Sequence, residues 1–167
     1  MRNMLLIAAA ALAMGTSAVS AAPVSESDKM FLTKEVQGSS YEMAIAKLAT
    51  QKATKAPIKA YSRKIVADHT SANGSLMRLV KSKGMTAPTD MSSDDQGRLA
   101  KLQAASGPAF DKAYVDEITR INSEDTESSK RETASTKDAQ IKGYVAQMTK
   151  MDAAHTKMGA GLKSVVS

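Results

Sequence analysis

Apolar residues recur at steps of three and four along four long stretches of the chain, the spacing that predicts amphipathic helices. The first helix is predicted from about Ser27 to Thr50, with Ser25 or Ser27 as its cap. Gly38 lies in its middle and is expected to let a neighbouring helix approach closely, at a cost of roughly 1 kcal/mol in helix stability. The predicted buried stripe comprises Phe31, Gly38, Tyr41, Ile45 and Leu48.

The second helix is predicted to begin at Pro57, a favoured first-turn residue, and to end at Gly84. One histidine, His69, falls within its apolar series. The stripe comprises Ile58, Tyr61, Ile65, His69, Ala72, Leu76 and Leu79.

A polar connection from Met85 to Asp95 separates this helix from a short one, predicted from about Ser93 to Ala105. Gly107 and Pro108 then break the chain again. Leu99 and Leu102 are expected to face inward from the short helix.

The third long helix is predicted from Pro108 to about Ala134, and its second half is unusual. No large apolar residue occurs between Ile121 and Ile141. That half, from Ser123 to Thr136, is either a polar, frayed end or is packed through small residues. The apolar first half comprises Phe110, Tyr114, Ile118 and Ile121.

The fourth long helix, about Asp138 to Leu162, has the most regular stripe in the chain and contains the second histidine, His155. Four such helices with mostly short connections predict an all-α, antiparallel four-helix bundle of the ferritin-like kind, with a short extra helix between helices two and three. The stripe comprises Ile141, Tyr144, Met148, Met151, His155, Met158 and Leu162.

The N-terminus has the order of residues typical of a secretory signal peptide. Arg2 is followed by an apolar run from Met4 to Met14 and then by small residues up to Ala21. That run is shorter than the roughly 20 apolar residues of a transmembrane helix. Residues 1–21 are therefore predicted to be a signal peptide and residues 22–167 a single domain without a transmembrane segment, located in the periplasm, secreted, or associated with the outer membrane.

The composition excludes several kinds of site. The 167 residues include no cysteine, which excludes a lipoprotein anchor, a disulfide and a thiolate metal site. The formal net charge is +6, but the charges of both signs are interspersed along the helices, so no nucleic-acid-binding face is predicted.

Polar residues on the apolar stripes are the candidates for function. Glu42, His69 and His155 lie near the middle of their helices and are expected to converge at a similar depth. Buried carboxylates and imidazoles are costly unless they are paired or coordinated. They can therefore form a hydrogen-bonded polar layer, or hold one zinc, iron or manganese ion with Asp152 as a further ligand. Ligand atoms within about 5 Å of one another would favour the metal site.

A complete di-iron oxidase site is not predicted. Such bundles take a Glu-x-x-His pair from each of two helices. Asp152 and His155 have that spacing with Asp in place of Glu, but Val66 lies three residues before His69. Asp68 is adjacent to His69, and adjacent side chains point about 100° apart on a helix. With no nucleophile elbow either, the sequence favours a non-enzymatic protein.

Methionines around His155 raise a second metal chemistry. Met148, Met151 and Met158 could offer soft ligands to copper(I). Methionine at regular helical spacing is more often a core residue, and that interpretation is favoured here.

Several landmarks of the chain resemble a bacterial family known as domain of unknown function 4142, often described as outer-membrane or secreted proteins. They extend over nearly the whole of residues 22–167. The landmarks are Phe31-Leu32, Gly38-Ser39 and Glu42, then Ile58 to Tyr61, Ile65 to His69, Gly107, Phe110 to Tyr114, and His155.

The resemblance implies a ferritin-like bundle in the envelope, with no established activity to carry over. Members of the family commonly have a histidine about twelve residues after the phenylalanine, where this chain has Asn122. An asparagine there can hydrogen-bond His69 or His155, which would make it part of the polar layer with Glu42.

Two hypotheses for function follow. The first is a non-enzymatic protein of the bacterial cell envelope, linked through the resemblance to stress tolerance or binding, with envelope or homo-oligomeric contacts and no required cofactor. The second is a metal-binding protein using Glu42, His69, Asp152 and His155.

Overall fold

Five α-helices account for most of residues 24–167, the part of the chain that the computed structural model describes. The predicted signal peptide, residues 1–21, lies outside the described residues. No strand occurs between residues 24 and 167, as the all-α prediction requires. The helices are α1 (Glu26–Lys52), α2 (Ala56–Ser82), α3 (Ser93–Ala104), α4 (Gly107–Ser135) and α5 (Ala139–Ala160), followed by a 3-10 turn, Lys163–Val165.

Local sequence sets where the helices begin and end. The Ser25 hydroxyl accepts a hydrogen bond from the backbone N–H of Asp28 at 3.0 Å, which confirms it as the cap of α1. Gly84 follows the end of α2 with a φ of 69°, a conformation in which a Cβ atom would be strained. The predicted helices, the short one included, match the observed elements to within a few residues.

The four long helices form a ring of contacts in the order α1, α2, α5, α4, and α3 lies against α1 and α4. The turn between α1 and α2 is tied to the start of α4, because the buried Asp111 carboxylate accepts a hydrogen bond from the Thr54 backbone N–H at 2.9 Å. None of the helices between residues 24 and 167 is both long and apolar enough to span a membrane.

Two separate apolar clusters fill the interior. One surrounds Ile45, Ile58 and Tyr114, and the other surrounds Leu32, Leu76 and Ile141. On α2, the interval between the clusters, from Ile65 to Ala72, contains His69. On α1, Glu42 lies at the boundary, directly after Tyr41, where the first cluster begins. The polar candidates therefore lie in a layer between two apolar halves, as the common depth of these residues predicted.

The second half of α4 is helical as far as Ser135, so it is not frayed. Its buried residues after Ile121 are Asn122, Ser129 and Glu132, all of them polar. This half of the helix packs through polar contacts where an apolar stripe would otherwise be expected.

Two expectations about packing are wrong. A Cβ atom at Gly38 would meet no atom within 4 Å, so no helix approaches closely there. The glycine at a close contact is Gly159, where a Cβ would lie 3.0 Å from the Asn122 amide nitrogen. Met158 is 37% exposed and does not belong to the buried stripe of α5, because that stripe shifts to Asp152, His155 and Gly159.

Candidate metal centre

Glu42 of α1, His69 of α2 and His155 of α5 come together in the polar layer. Each offers one ligand atom, and these atoms all lie within 4.8 Å of one another. Their exposed fractions are 9%, 4% and 2%, so all three side chains are buried. Each residue falls on the inward face of its helix, and the ring of helices brings the three faces to one point.

The ring nitrogens of His69 have different surroundings. Nδ1 lies 3.0 Å from the Ser39 hydroxyl oxygen, and that hydroxyl donates its own proton to the Asn73 side-chain oxygen at 2.7 Å. Ser39 must therefore accept from an Nδ1–H. Nε2 lies 3.3 Å from Glu42 Oε2 and has no hydrogen-bond partner, although it is buried. This leaves Nε2 as the nitrogen that can bind a metal.

His155 is held from its outer side by Asp68. The distance from His155 Nε2 to Asp68 Oδ2 is 2.8 Å, and a carboxylate only accepts, so Nε2 is the protonated nitrogen. Nδ1 is then the nitrogen that retains a lone pair. A histidine that donates to a carboxylate through one nitrogen and offers the other to a metal is the usual arrangement in metal sites.

The two imidazoles are stacked, with ring centroids 5.8 Å apart and an interplanar angle of 28°. Burial lowers the pKa of His155 and outweighs the opposing effect of Asp68, so this ring is neutral at pH 7. Burial also lowers the pKa of His69, but the adjacent Glu42 carboxylate raises it by more, and the net change is upward.

Carboxylates from three helices line a cavity of about 30 Å³ beside Glu42 and His69. The cavity wall also includes the buried His69, whose Nε2 is unpartnered. Between residues 24 and 167, no Lys or Arg nitrogen lies within 4.0 Å of these carboxylates. The four are Glu35 and Glu42 of α1, Asp125 of α4 and Asp152 of α5.

Burial and nearby negative charge disfavour the ionised forms of Glu35, Asp125 and Asp152. Burial raises the pKa of Glu35 to about 7, with a further contribution from the negative charge of Asp152 and an opposing hydrogen bond from the Tyr144 hydroxyl at 3.0 Å. Burial and the charge of Glu42 raise the pKa of Asp152 to about 6. Burial also raises the pKa of Asp125 well above its usual range, again assisted by Glu42. Among residues 24–167, the basic side chains that line the cavity are Lys34, which is exposed, and His69.

Asp152, a predicted metal ligand, and Asn122, a predicted member of the polar layer, have other partners in the structure. Asp152 lines the cavity and accepts a hydrogen bond from the Ser129 hydroxyl at 3.3 Å, but it is not among the three residues whose ligand atoms converge. Asn122 contacts neither histidine, because its amide nitrogen donates to the Tyr61 hydroxyl at 3.4 Å. The prediction that Asn122 hydrogen-bonds His69 or His155 is therefore wrong.

The sequence did not lead us to Glu35 as a cavity residue, or to Asp68 as the hydrogen-bond partner of His155. Glu35 lies two helical turns before Glu42, a spacing of seven that places both on one face of α1, so the signal was present. From the 100° between Asp68 and His69 we predicted that the two residues cannot easily face one ion, and this stays a prediction. That angle alone does not show that Asp68 reaches His155 on α5.

The methionines do not gather around His155. Met148 lines the cavity, Met151 packs beside the apolar cluster of Ile141, and Met158 is exposed. The ligand atoms that converge are nitrogen and oxygen, which suit borderline divalent ions better than copper(I).

Comparisons with known proteins agree with the sequence resemblance. A family model described as Domain of unknown function (DUF4142) matches residues 7–163. No curated protein matches the chain. A solved structure described as "CopM in the Cu(II)-bound form" is similar in fold, with a TM-score of 0.67 and 15% sequence identity over 80% of this chain and 94% of that one. At that level of identity, the similarity shows the fold alone.

Proposed function

We propose that this chain, which belongs to the DUF4142 family, binds one divalent metal ion between Glu42, His69 and His155. The observation that carries the proposal is the convergence of their three ligand atoms within 4.8 Å. Because metal–ligand bonds are about 2 Å long, side chains this close need only small rotations to bind one ion.

The surroundings support a metal rather than a purely structural layer. Polar layers that only stabilise a fold satisfy their hydrogen bonds, whereas His69 Nε2 is buried without one. Ser39 and Asp68 hold the two rings in the tautomers that leave one nitrogen free on each. The nearby carboxylates supply the negative charge that a divalent cation would neutralise.

The donor set indicates which ions to test. Two imidazoles and a carboxylate suit zinc, iron and manganese, and they also suit copper(II). The similar structure described as CopM was determined in a Cu(II)-bound form, which is a reason to include copper(II) in the set. We place the protein in the bacterial cell envelope as an exported, non-enzymatic protein with a ferritin-like four-helix arrangement, on the basis of its N-terminal residues and helix order.

The test is elemental analysis of the untagged protein purified from its native envelope, followed by calorimetric titration with each ion. About one equivalent is expected to bind to the native protein, and none to the His69→Ala/His155→Ala double variant. Glu117→Gln is a control for the loss of a polar contact between helices, because Glu117 accepts a hydrogen bond from the Tyr41 hydroxyl of α1 but lies outside the site. If the native protein binds no ion and its melting temperature does not respond to metals, the layer is structural and the proposal is wrong.

A further inference from the structure

A surface groove of about 710 Å³ lies between α1, the start of α3 and α4. It meets the inner cavity, because both are lined by Lys34, Glu35, Gly38, Glu42 and Asp125. The groove is therefore continuous with the cavity that contains His69.

The lining of the groove is charged and has an excess of negative charge. Seven carboxylates and four basic side chains line it. Two of the basic side chains are engaged with glutamates: Arg120 pairs with Glu117 and Glu124, and Arg98 lies 3.8 Å from Glu117. Asp94 and Asp95 lie at the outer end of the groove, and Glu35 and Asp125 lie where it meets the cavity.

Gly38 lies at this junction. A Cβ atom there would meet no atom within 4 Å, although the residue is in the middle of a packed helix. A glycine in that position costs helix stability and is not explained by a close helix contact. Its effect is to leave space between the groove and the cavity.

We propose that this groove is the path by which a divalent cation reaches the Glu42–His69–His155 site, that Glu35 and Asp125 conduct it inward, and that Gly38 keeps the passage open. The inference rests on the proposed metal-binding function. Basic side chains also line this path, Lys34 among them at the junction, but the carboxylates are in excess. An excess of negative charge concentrates cations and raises their association rate, by up to 10 to 1,000-fold in clefts of one sign of charge, with a strong dependence on salt.

A competing path exists between α4 and α5, where a second groove lined by Ser129, Thr133 and Ala153 also reaches Asp152. Only that one residue is common to this groove and the cavity, against five for the first groove. Most of its exposed lining is apolar and hydroxyl-bearing, which is unfavourable for a hydrated cation. The first groove is therefore the better path.

The experiment measures the rate of Cu²⁺ association by stopped-flow quenching of tyrosine fluorescence. Cu²⁺ is a suitable probe because a site of nitrogen and oxygen ligands binds it more tightly than the other first-row divalent ions. The chain has no tryptophan, and the Tyr61 ring packs against His155 with centroids 6.5 Å apart. Quenching thus reports on the site.

Gly38→Leu is expected to slow Cu²⁺ association at least tenfold while changing the equilibrium dissociation constant by less than twofold. At pH 8 and low salt, Glu35→Gln/Asp125→Asn is expected to slow association about tenfold and to weaken its salt dependence. Gly143→Leu is the control for adding a side chain at a helical glycine, since Gly143 is exposed and a Cβ there meets open space. It should leave the rate unchanged.

The outcomes separate the two proposals. Native rates in both the Gly38 and the Glu35/Asp125 variants would overturn the access path but leave the metal site intact. Slow association in Ala153→Leu, with a native rate in Gly38→Leu, would place the path between α4 and α5 and also overturn the inference. If the native protein shows no saturable quenching, the proposed function fails, and the access path fails with it.

Discussion

At the scale of single residues, Asp68 connects the surface of the protein to the candidate metal centre. Its side chain is 20% exposed, forms an ion pair with Lys64 one turn away on α2, and accepts a hydrogen bond from the buried His155. The carboxylate fixes both the tautomer and the direction of that imidazole. A residue that binds no ion itself can therefore control how tightly an ion is bound.

Asp68→Ala is expected to weaken metal binding 10- to 100-fold, the usual effect of losing a carboxylate behind a metal-binding histidine. The fold should be retained, because Asp68 lies at the edge of the polar layer. Calorimetric titration of Zn²⁺ checks the affinity, and circular dichroism checks the fold. Asp116→Ala is the matched control, since Asp116 forms the same kind of i, i+4 pair with Lys112 on an exposed face. An equal loss of affinity in both variants would contradict this role.

Periodicity in the sequence predicted which residues of the site face inward, but not how they pair. Glu42, His69 and His155 each fall on an apolar stripe, so their meeting followed from helix geometry. The bonds from Ser39 to His69 and from Asp68 to His155 depend on the rotation of each helix against its neighbours. No spacing along one helix contains that information.

At the scale of helices, the start of α1 and the end of α4 meet through two acids. Asp28 and Glu132 are 5% and 4% exposed, and each has a buried oxygen without a hydrogen-bond partner. Burial raises the pKa of Glu132 to about 7, with a further contribution from Asp28. The two carboxyl groups therefore repel each other least when Glu132 is protonated.

Glu132→Gln is expected to stabilise the metal-free protein at pH 8 by about 1–2 kcal/mol and to have little effect at pH 4. The folded-state pKa of Glu132 lies above its unfolded value of 4.5. Its stabilising contribution is therefore present in full below pH 4.5 and is lost as the pH rises through 7. Glutamine resembles the protonated acid at every pH.

Urea unfolding between pH 4 and pH 8, with a chelator present, measures the difference in free energy. Glu127→Gln is the control, because Glu127 lies on the same helix but is exposed and paired with Lys130. The test measures unfolding alone and needs no assay of activity. If the Glu132 and Glu127 variants show the same pH dependence, the contact between α1 and α4 does not depend on a shared proton.

The positions of the helices were predictable because caps, glycines and prolines act locally. Ser25 caps the start of α1, as the pattern indicated. Pro57 lies in the first turn of α2, and Gly84 follows its end. The second half of α4 was not predictable from apolar spacing, because its buried residues are Ser129 and Glu132. Their partners lie on α5 and α1, respectively.

At the scale of the whole molecule, the acidic cavity lowers the stability of the metal-free protein. Glu35, Asp125 and Asp152 line one cavity with Glu42. Among residues 24–167, no Lys or Arg nitrogen lies within 4.0 Å of their carboxylates. A bound cation would remove this repulsion, so binding should contribute directly to the free energy of unfolding.

Glu35→Gln/Asp125→Asn is therefore expected to raise the melting temperature of the metal-free protein at pH 8 by several degrees, since about 1 kcal/mol corresponds to roughly 2–8 °C in proteins of this size. Differential scanning calorimetry with a chelator measures the change. Asp94→Asn/Glu127→Gln removes two exposed acids as a control and should have little effect. A melting temperature unchanged or lowered by the cavity variant would show that the four acids do not repel one another.

The same cavity has a consequence for how the sequence responds to selection. A population of variants selected only for heat resistance would accumulate neutral residues at positions 35, 125 and 152, because each replacement relieves repulsion without opening a void. Ion-binding capacity would decline as resistance increased. Sequencing such a population, with and without metal in the medium, would identify the acids whose retention depends on a ligand.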